Sequence, residues 1–215
     1  MTGKYYLAGI LLTAAALAAT VVAYPHLPNS VPTHWDIHGL PNRYSPKWTL
    51  YLLGPGLMAG IVLLTRLLPW LSPKPFEVEG FRSTYIQIML MTVAVWAYID
   101  GVILWAGVGH SVNEGRAILG GVCLLFALMG NVMGKIRRNF YIGVRTPWAL
   151  ANERVWNATH RLAAKTFVLG GLAGLALVAM GQNGWPTFAV LMAGALVPAV
   201  YSLIFSKQLD RRGEL

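Results

Sequence analysis

The sequence predicts an all-α membrane protein: a six-transmembrane-helix bundle with a structured extracytoplasmic loop and an amphipathic cytoplasmic segment. Three observations carry this. Of 215 residues, 56% are hydrophobic and 12% are charged, and the mean hydropathy of +0.54 exceeds that of soluble domains of this size. Six apolar runs are long enough to cross a hydrocarbon core, which takes about 20 residues. The alternating pattern of a membrane β-barrel is absent, so each run must satisfy its own backbone hydrogen bonds as a helix.

The runs lie at 5–24, 48–70, 84–108, 117–134, 164–181 and 185–206. The first resembles a cleavable signal, with Lys4 ahead of it and Ala23 near its end. Its length, and its continuation into Tyr24 and Pro25, favour a retained helix. Pro55 and Pro198 fall inside the second and sixth runs and predict kinks. Cys123, the lone cysteine, excludes an internal disulfide and reads as a small apolar side chain of the fourth helix. The pairs Gly56 and Gly60, Gly130 and Gly134, and Gly170 and Gly174 stand four apart, a spacing that lets helix backbones approach. Trp48, Trp70, Trp105 and Trp185 lie near run ends, as an interfacial belt requires.

Between these runs the chain divides into 1–47 (first helix and extracytoplasmic loop), 48–134 (helices two to four), 135–163 (cytoplasmic motif segment) and 164–215 (helices five and six with a basic tail). Short connections make helices two and three, three and four, and five and six antiparallel neighbours. No internal repeat is found.

The net charge of +9 reflects orientation rather than nucleic-acid binding. Lys4, Arg66, Lys74, Arg82, Lys135, Arg137, Arg138, Arg145, Arg154, Arg161, Lys165, Lys207, Arg211 and Arg212 fall on one side, and Arg43, Lys47 and Arg116 on the other. The positive-inside rule places both termini in the cytoplasm and the 25–47 loop outside. Anionic lipid headgroups account for the excess, and the bilayer is the first partner.

The 25–47 loop carries five prolines and one glycine, which forbid a continuous helix. Within it His34, Asp36 and His38 alternate, so an extended backbone would point all three the same way. Two imidazoles and a carboxylate suit a divalent metal such as zinc. They equally suit a polar extracytoplasmic vestibule of hydrogen-bonding groups, and the absence of HExxH and of a further ligand segment favours the vestibule, with no cofactor. Asp100 supports the same reading. It lies about eight residues inside the third run, where a carboxylate is costly unless it meets water or a partner, and Arg116 and the His34 region are the candidate partners.

The 135–163 segment begins basic and extended and then turns helical. Thr146 with Pro147, and Asn152 with Glu153, are two alternative helix starts between which the residues do not choose. Arg145, Arg154 and Arg161 with Trp148 and Trp156 suit the headgroup boundary or a protein partner. No nucleophile with a base at suggestive spacing and no phosphate-cradling loop occurs, which argues against an enzyme.

Pro28, Pro32, His34, Trp35, Gly39 and Lys47 resemble an extracytoplasmic signature of the SdpI family of bacterial membrane proteins. Asn139, Gly143, Arg145, Thr146, Pro147, Trp148, Leu150, Asn152, Glu153, Trp156, Thr159, His160 and Arg161 resemble the family's cytoplasmic motif almost position by position. His38 departs from the usual pattern. The resemblance implies a bacterial inner-membrane protein of the immunity and signal-transduction type, with an extracytoplasmic peptide toxin and a cytoplasmic repressor as partners. The expected receiving side is His34, Asp36 and Asp100, and the expected output is Arg145, Trp148, Trp156 and His160. Two other classes compete: a small proton-coupled transporter or flippase using the kinked helices and Asp100, and a metal-dependent membrane enzyme.

Overall fold

The computed structural model describes residues 2–182 and 184–214. Among these, six helices are long and apolar enough to span a membrane: Gly3–His26, Thr49–Leu71, Val78–Gly107, Glu114–Met133, Glu153–Ala179 and Trp185–Arg211. Helix α1 is Thr2–Ala23, α2 Thr49–Leu71, α3 Arg82–Gly107, α4 Glu114–Met133, α5 the short Pro147–Ala151, α6 Glu153–Ala179 and α7 Trp185–Arg211. The expected fold class holds. The protein is a multi-pass membrane protein whose lipid-facing residues, such as Trp70 and Trp185, remain exposed on the bundle surface.

The helices form two packed groups. In one, α1 and α2 lean on α3; in the other, α6 packs closely on both α4 and α7, and α3 contacts α4. Without water to expel, membrane helices associate through close backbone approach, which small residues permit. Gly171 does this most tightly: a Cβ there would lie 2.5 Å from the Ala127 amide nitrogen and 2.6 Å from the Cys123 carbonyl oxygen of α4. Gly130 faces the Val168 backbone, and Gly174 faces the Cys123 Sγ. Cys123 is fully buried, as expected of it. The glycine reading needs correction at Gly60 and Gly134, where an added Cβ would meet nothing within 4 Å.

Pro55 does more than kink α2. Lacking an amide hydrogen, it sits in a π turn, Leu52–Gly56, in which the Leu57 amide reaches back to the Leu52 carbonyl. The Leu53 carbonyl in that turn instead accepts from the Trp96 indole N–H of α3.

The loop between α1 and α2 contains a β-hairpin, which its prolines disguise: β1 is Ser30–Trp35 and β2 is Pro41–Pro46, paired antiparallel. An isolated two-stranded hairpin is marginal in water, and here the bundle supports it. Leu27 and Val31 pack on Leu50 and Leu104. Lys47 Nζ donates to the Tyr24 and Leu27 carbonyls, each at 3.1 Å.

At the opposite end of the bundle, the largest buried apolar cluster gathers Val78, Phe81, Tyr85, Met133, Ile136, Ile142 and Trp156. Both candidate helix starts there are used. Thr146 accepts from the Ala149 amide and caps α5, and Asn152 accepts from the Arg154 and Val155 amides and caps α6. The fifth membrane helix thus begins at Glu153 rather than at 164, because the Asn152 cap lets the amphipathic segment run into the apolar one without a break.

Candidate functional site

Two constellations stand at the two ends of the bundle. At the hairpin end, Asp36 closes the strand connection. Its Oδ1 accepts the amides of His38 and Leu40, both at 2.9 Å, and its own backbone pairs with Gly39 and Leu40. Gly39 supplies the left-handed backbone, φ +79°, that a three-residue hairpin loop requires. The strand therefore ends at Trp35, and the alternation that would have aligned His34, Asp36 and His38 is broken. No group of three His, Cys, Asp or Glu side chains able to hold a metal ion occurs among the described residues. His34 instead pairs across the hairpin, its Nδ1 lying 2.6 Å from Asn42 Oδ1, and it is exposed.

The hairpin tip is docked. The Trp35 indole donates to Glu114 Oε2 at 3.0 Å, in the first turn of α4. Gly39 lies so close to Gly115 that a Cβ on Gly115 would overlap it, and a Cβ on Gly184 would lie 2.5 Å from the Ile37 carbonyl oxygen. Three glycines thus let the tip rest directly on the starts of α4 and α7. The motif Trp35 and Gly39, read from sequence as part of a signature, has this geometric meaning.

Beneath the hairpin lies a cavity of about 230 Å³, lined among others by Thr33, Trp35, Gly54, Trp96 and Asp100. Asp100 is buried, 4% exposed. Its carboxylate rests on the Gly54 Cα within the π turn, where a Cβ would lie 2.7 Å from its Cγ. The Thr20 hydroxyl of α1 lies beside the Asp100 side chain and donates to the Ala16 carbonyl at 2.9 Å. Of the expected partners of Asp100, the His34 region reaches it through Thr33 and Trp35, which line the same cavity, while Arg116 and His34 themselves require correction. Arg116 turns away, its Nη2 donating to the Val178 carbonyl at 2.7 Å, and His34 is held by Asn42. Both are engaged elsewhere: Arg116 bonds the Val178 carbonyl in the last turn of α6, as a basic side chain does at a helix C-terminus. Thr20, Gly54 and Trp96 carry no sequence signal that marks them, since a threonine, a glycine and a tryptophan are ordinary in membrane helices.

At the other end, the motif residues build one knot of hydrogen bonds. Asn139 is fully buried. Its Oδ1 accepts the Tyr141 and Ile142 amides at 2.7 and 2.8 Å, and its Nδ2 donates to the Arg137 and Ile142 carbonyls at 2.8 and 3.1 Å. His160, 1% exposed, stacks on Trp156 at 4.0 Å between ring centroids. Its Nε2 accepts the Val144 amide at 3.1 Å, which leaves Nδ1 to carry the proton and donate to the Trp156 carbonyl at 2.9 Å. Gly143 has φ +108°, and a Cβ there would overlap His160 Nε2. The Trp156 indole donates to the Ile136 carbonyl at 2.7 Å. Thr146 Oγ1 lies 2.7 Å from Ser202 Oγ of α7, and Arg145 donates to the Phe140 carbonyl. Thr159 is buried, and among the described residues its hydroxyl has no hydrogen-bond partner.

The motif therefore splits into two sets. Asn139, Gly143, Asn152, Trp156, Thr159 and His160 hold the segment against α6 from within, while Arg145, Pro147, Trp148, Glu153 and Arg161 are exposed. The second set is what a headgroup or a protein could touch.

Comparison with known proteins bears on both ends. Residues 135–202 match the SdpI/YfhL protein family, and residues 11–59 match a domain of unknown function, DUF1648. The chain is 25% identical over 168 residues to the Immunity protein SdpI of Bacillus subtilis (strain 168), covering 78% of each chain. No solved structure matches it. The second match spans the hairpin, which the first does not reach. On these findings the chain resembles the SdpI/YfhL family, and the buried knot around Asn139, Gly143, Trp156 and His160 lies within the segment that matches it.

Proposed function

We propose that this protein is an integral inner-membrane immunity protein that protects its cell from a secreted antimicrobial peptide, without being an enzyme. The observation that carries this is the similarity to Immunity protein SdpI across 78% of both chains, since it extends beyond a shared membrane anchor. Charge asymmetry orients the molecule with the hairpin outside and the knot inside. The docked hairpin and the cavity beneath it form the receiving side. Trp148, Arg145 and Arg161 form the surface offered to a cytoplasmic repressor, with Trp156 and His160 as the latch that holds it in place.

Relay between the two ends requires two states that bind the peptide with different affinity. Helix α6 runs from the knot toward the α4 contact at Gly171 and Gly174, and α4 begins under the hairpin tip at Glu114 and Gly115, so a physical route joins the ends. The test is survival of sensitive cells, with and without the chain, exposed to culture fluid from a strain that secretes killing peptides of the immunity-associated type. Protection is expected, and reduced protection in Arg145→Ala would mark the inner surface as an output. Equal killing across a panel of such peptides removes the immunity reading. Labelling of single cysteines from outside intact cells should reach position 36 and miss position 145; the reverse pattern overturns the orientation.

The burial of Asp100 beside a π turn favours a second reading, a small proton-coupled transporter or flippase. Flux in proteoliposomes that disappears in Asp100→Asn would move the assignment there.

A further inference from the structure

We propose that the cavity beneath the hairpin is a binding site for a protonated primary amine, that of a lysine side chain on an extracytoplasmic peptide, with Asp100 as its counter-ion and Trp35 and Trp96 as its aromatic walls. This deepens the function proposed above and rests on its orientation.

The first argument is the chemistry of the lining. Pro32, Leu50, Leu53, Ile99, Ile103 and Ile118 are apolar, and Asp100 is the one ionisable side chain among the residues that line the cavity. Two indoles, one carboxylate, the Thr33 hydroxyl engaged with Ser45 and otherwise apolar walls match an organic cation: its charge meets the carboxylate, its stem meets the aliphatic groups, and ring faces attract the ammonium. A neutral or anionic ligand leaves the carboxylate without a purpose in this lining.

The second argument is what Asp100 lacks. Among the described residues the ion pairs are Arg82 with Glu79 and Arg154 with Glu214, and neither involves Asp100. The polar group beside it is the Thr20 hydroxyl, which donates to the Ala16 carbonyl at 2.9 Å. One hydroxyl proton serves one acceptor at a time. A carboxylate offers about four acceptor positions, so among the described residues most of its capacity meets no donor. An intramembrane carboxylate so weakly satisfied is expensive to keep, which is the ordinary mark of a functional group.

The third argument is construction. The π turn set by Pro55 brings Gly54 against the carboxylate, and any Cβ at position 54 would overlap Asp100 Oδ1. Trp96 is anchored by its indole N–H to the Leu53 carbonyl of the same turn, and Trp35 is anchored to Glu114. With their N–H groups engaged, both rings are held in place at the cavity. The walls are thus fixed before a ligand arrives, which lowers the ordering cost of binding. The volume of about 230 Å³ admits one side chain, not a folded segment.

The experiment uses the full chain in phosphatidylcholine nanodiscs with ¹⁵N-labelled tryptophan. The probe is the blocked dipeptide analogue N-acetyl-lysine-N-methylamide. Its control is the same molecule with the ε-amine acetylated. Saturable shifts of the Trp35 and Trp96 indole resonances are expected with the amine and not with the control. Asp100→Asn should weaken binding by at least about tenfold. Should Asp100→Asn fail to give a dispersed spectrum, Gly54→Ala is the second variant, expected to abolish the shifts by displacing the carboxylate while the hairpin stays docked. Equal binding of amine and acetylated control, or unchanged affinity in both variants, overturns the proposal. Loss of probe binding when phosphatidylethanolamine replaces phosphatidylcholine also overturns it, since the occupant would then be a lipid amine. Amine binding without protection of cells sinks the immunity reading alone; protection without amine binding sinks this site alone.

Discussion

At the scale of single residues, the motif at 139–161 gains physical content from its hydrogen bonds. Gly143 is the clearest case. Its φ of +108° lies in the left-handed region, and a side chain there would overlap the ring of His160. Gly143→Ala therefore combines backbone strain with displacement of the His160 imidazole from the Val144 amide, and it should cost at least about 1 kcal/mol. The measurement is the apparent melting temperature in detergent, where a clear fall is expected. An unchanged value would mean that the His160 contact carries no weight. Asn139 illustrates why such residues read as signature without revealing their role. All its polar capacity is spent on neighbours within three residues, so it shapes a turn and touches no ligand.

At the scale of elements, the hairpin and α2 show how a sheet and a π turn can arise where the sequence suggests an irregular loop and a kink. The hairpin is held at its base by Lys47, at its tip by Gly39 on Gly115, and along one edge by Trp35 on Glu114. Lys47 also sits over the Tyr24 ring at 4.7 Å. Lys47→Met keeps the stem and removes the donor. The Tyr24 and Leu27 carbonyls, just past the end of α1, would lose a charged partner, and the amides of β1 and β2 should exchange with deuterium about tenfold faster as the hairpin opens locally. Unaltered exchange would show that the apolar contacts of Leu27 and Val31 hold the hairpin without it. Proline at position 55 has the opposite effect: by removing one amide hydrogen it makes the turn that seats Asp100.

At the scale of the whole molecule, the contact of α4 with α6 sets whether the two ends can communicate. Gly171 meets backbone atoms of α4, which cannot yield as a flexible side chain can. Gly171→Ala should destabilise the bundle by about 3 kcal/mol or more, read as loss of monodisperse protein on size exclusion. Gly60→Ala is the control, since a Cβ there meets nothing within 4 Å, and it should behave as wild type. If both variants are equally stable, close packing of α4 on α6 is not what holds the bundle.

Much of this is legible in the chain of residues by itself. Hydrophobic run length and the absence of alternation determine six helices, because a backbone in lipid has no other way to satisfy its hydrogen bonds. Charge asymmetry points to an orientation, and local residue types mark Thr146, Asn152 and Cys123 for the positions they occupy. Tertiary structure alone decides the rest. Whether His34, Asp36 and His38 form a cluster depends on where β1 stops, and that follows from the Asp36 turn and the docking of the tip. What Asp100 meets depends on Thr20 and Gly54, which lie far from it in the chain on two other helices. Run lengths and caps are local properties, each set by a few neighbouring residues. A cavity is made by segments brought together from several helices, and no window of sequence contains the contacts that shape it.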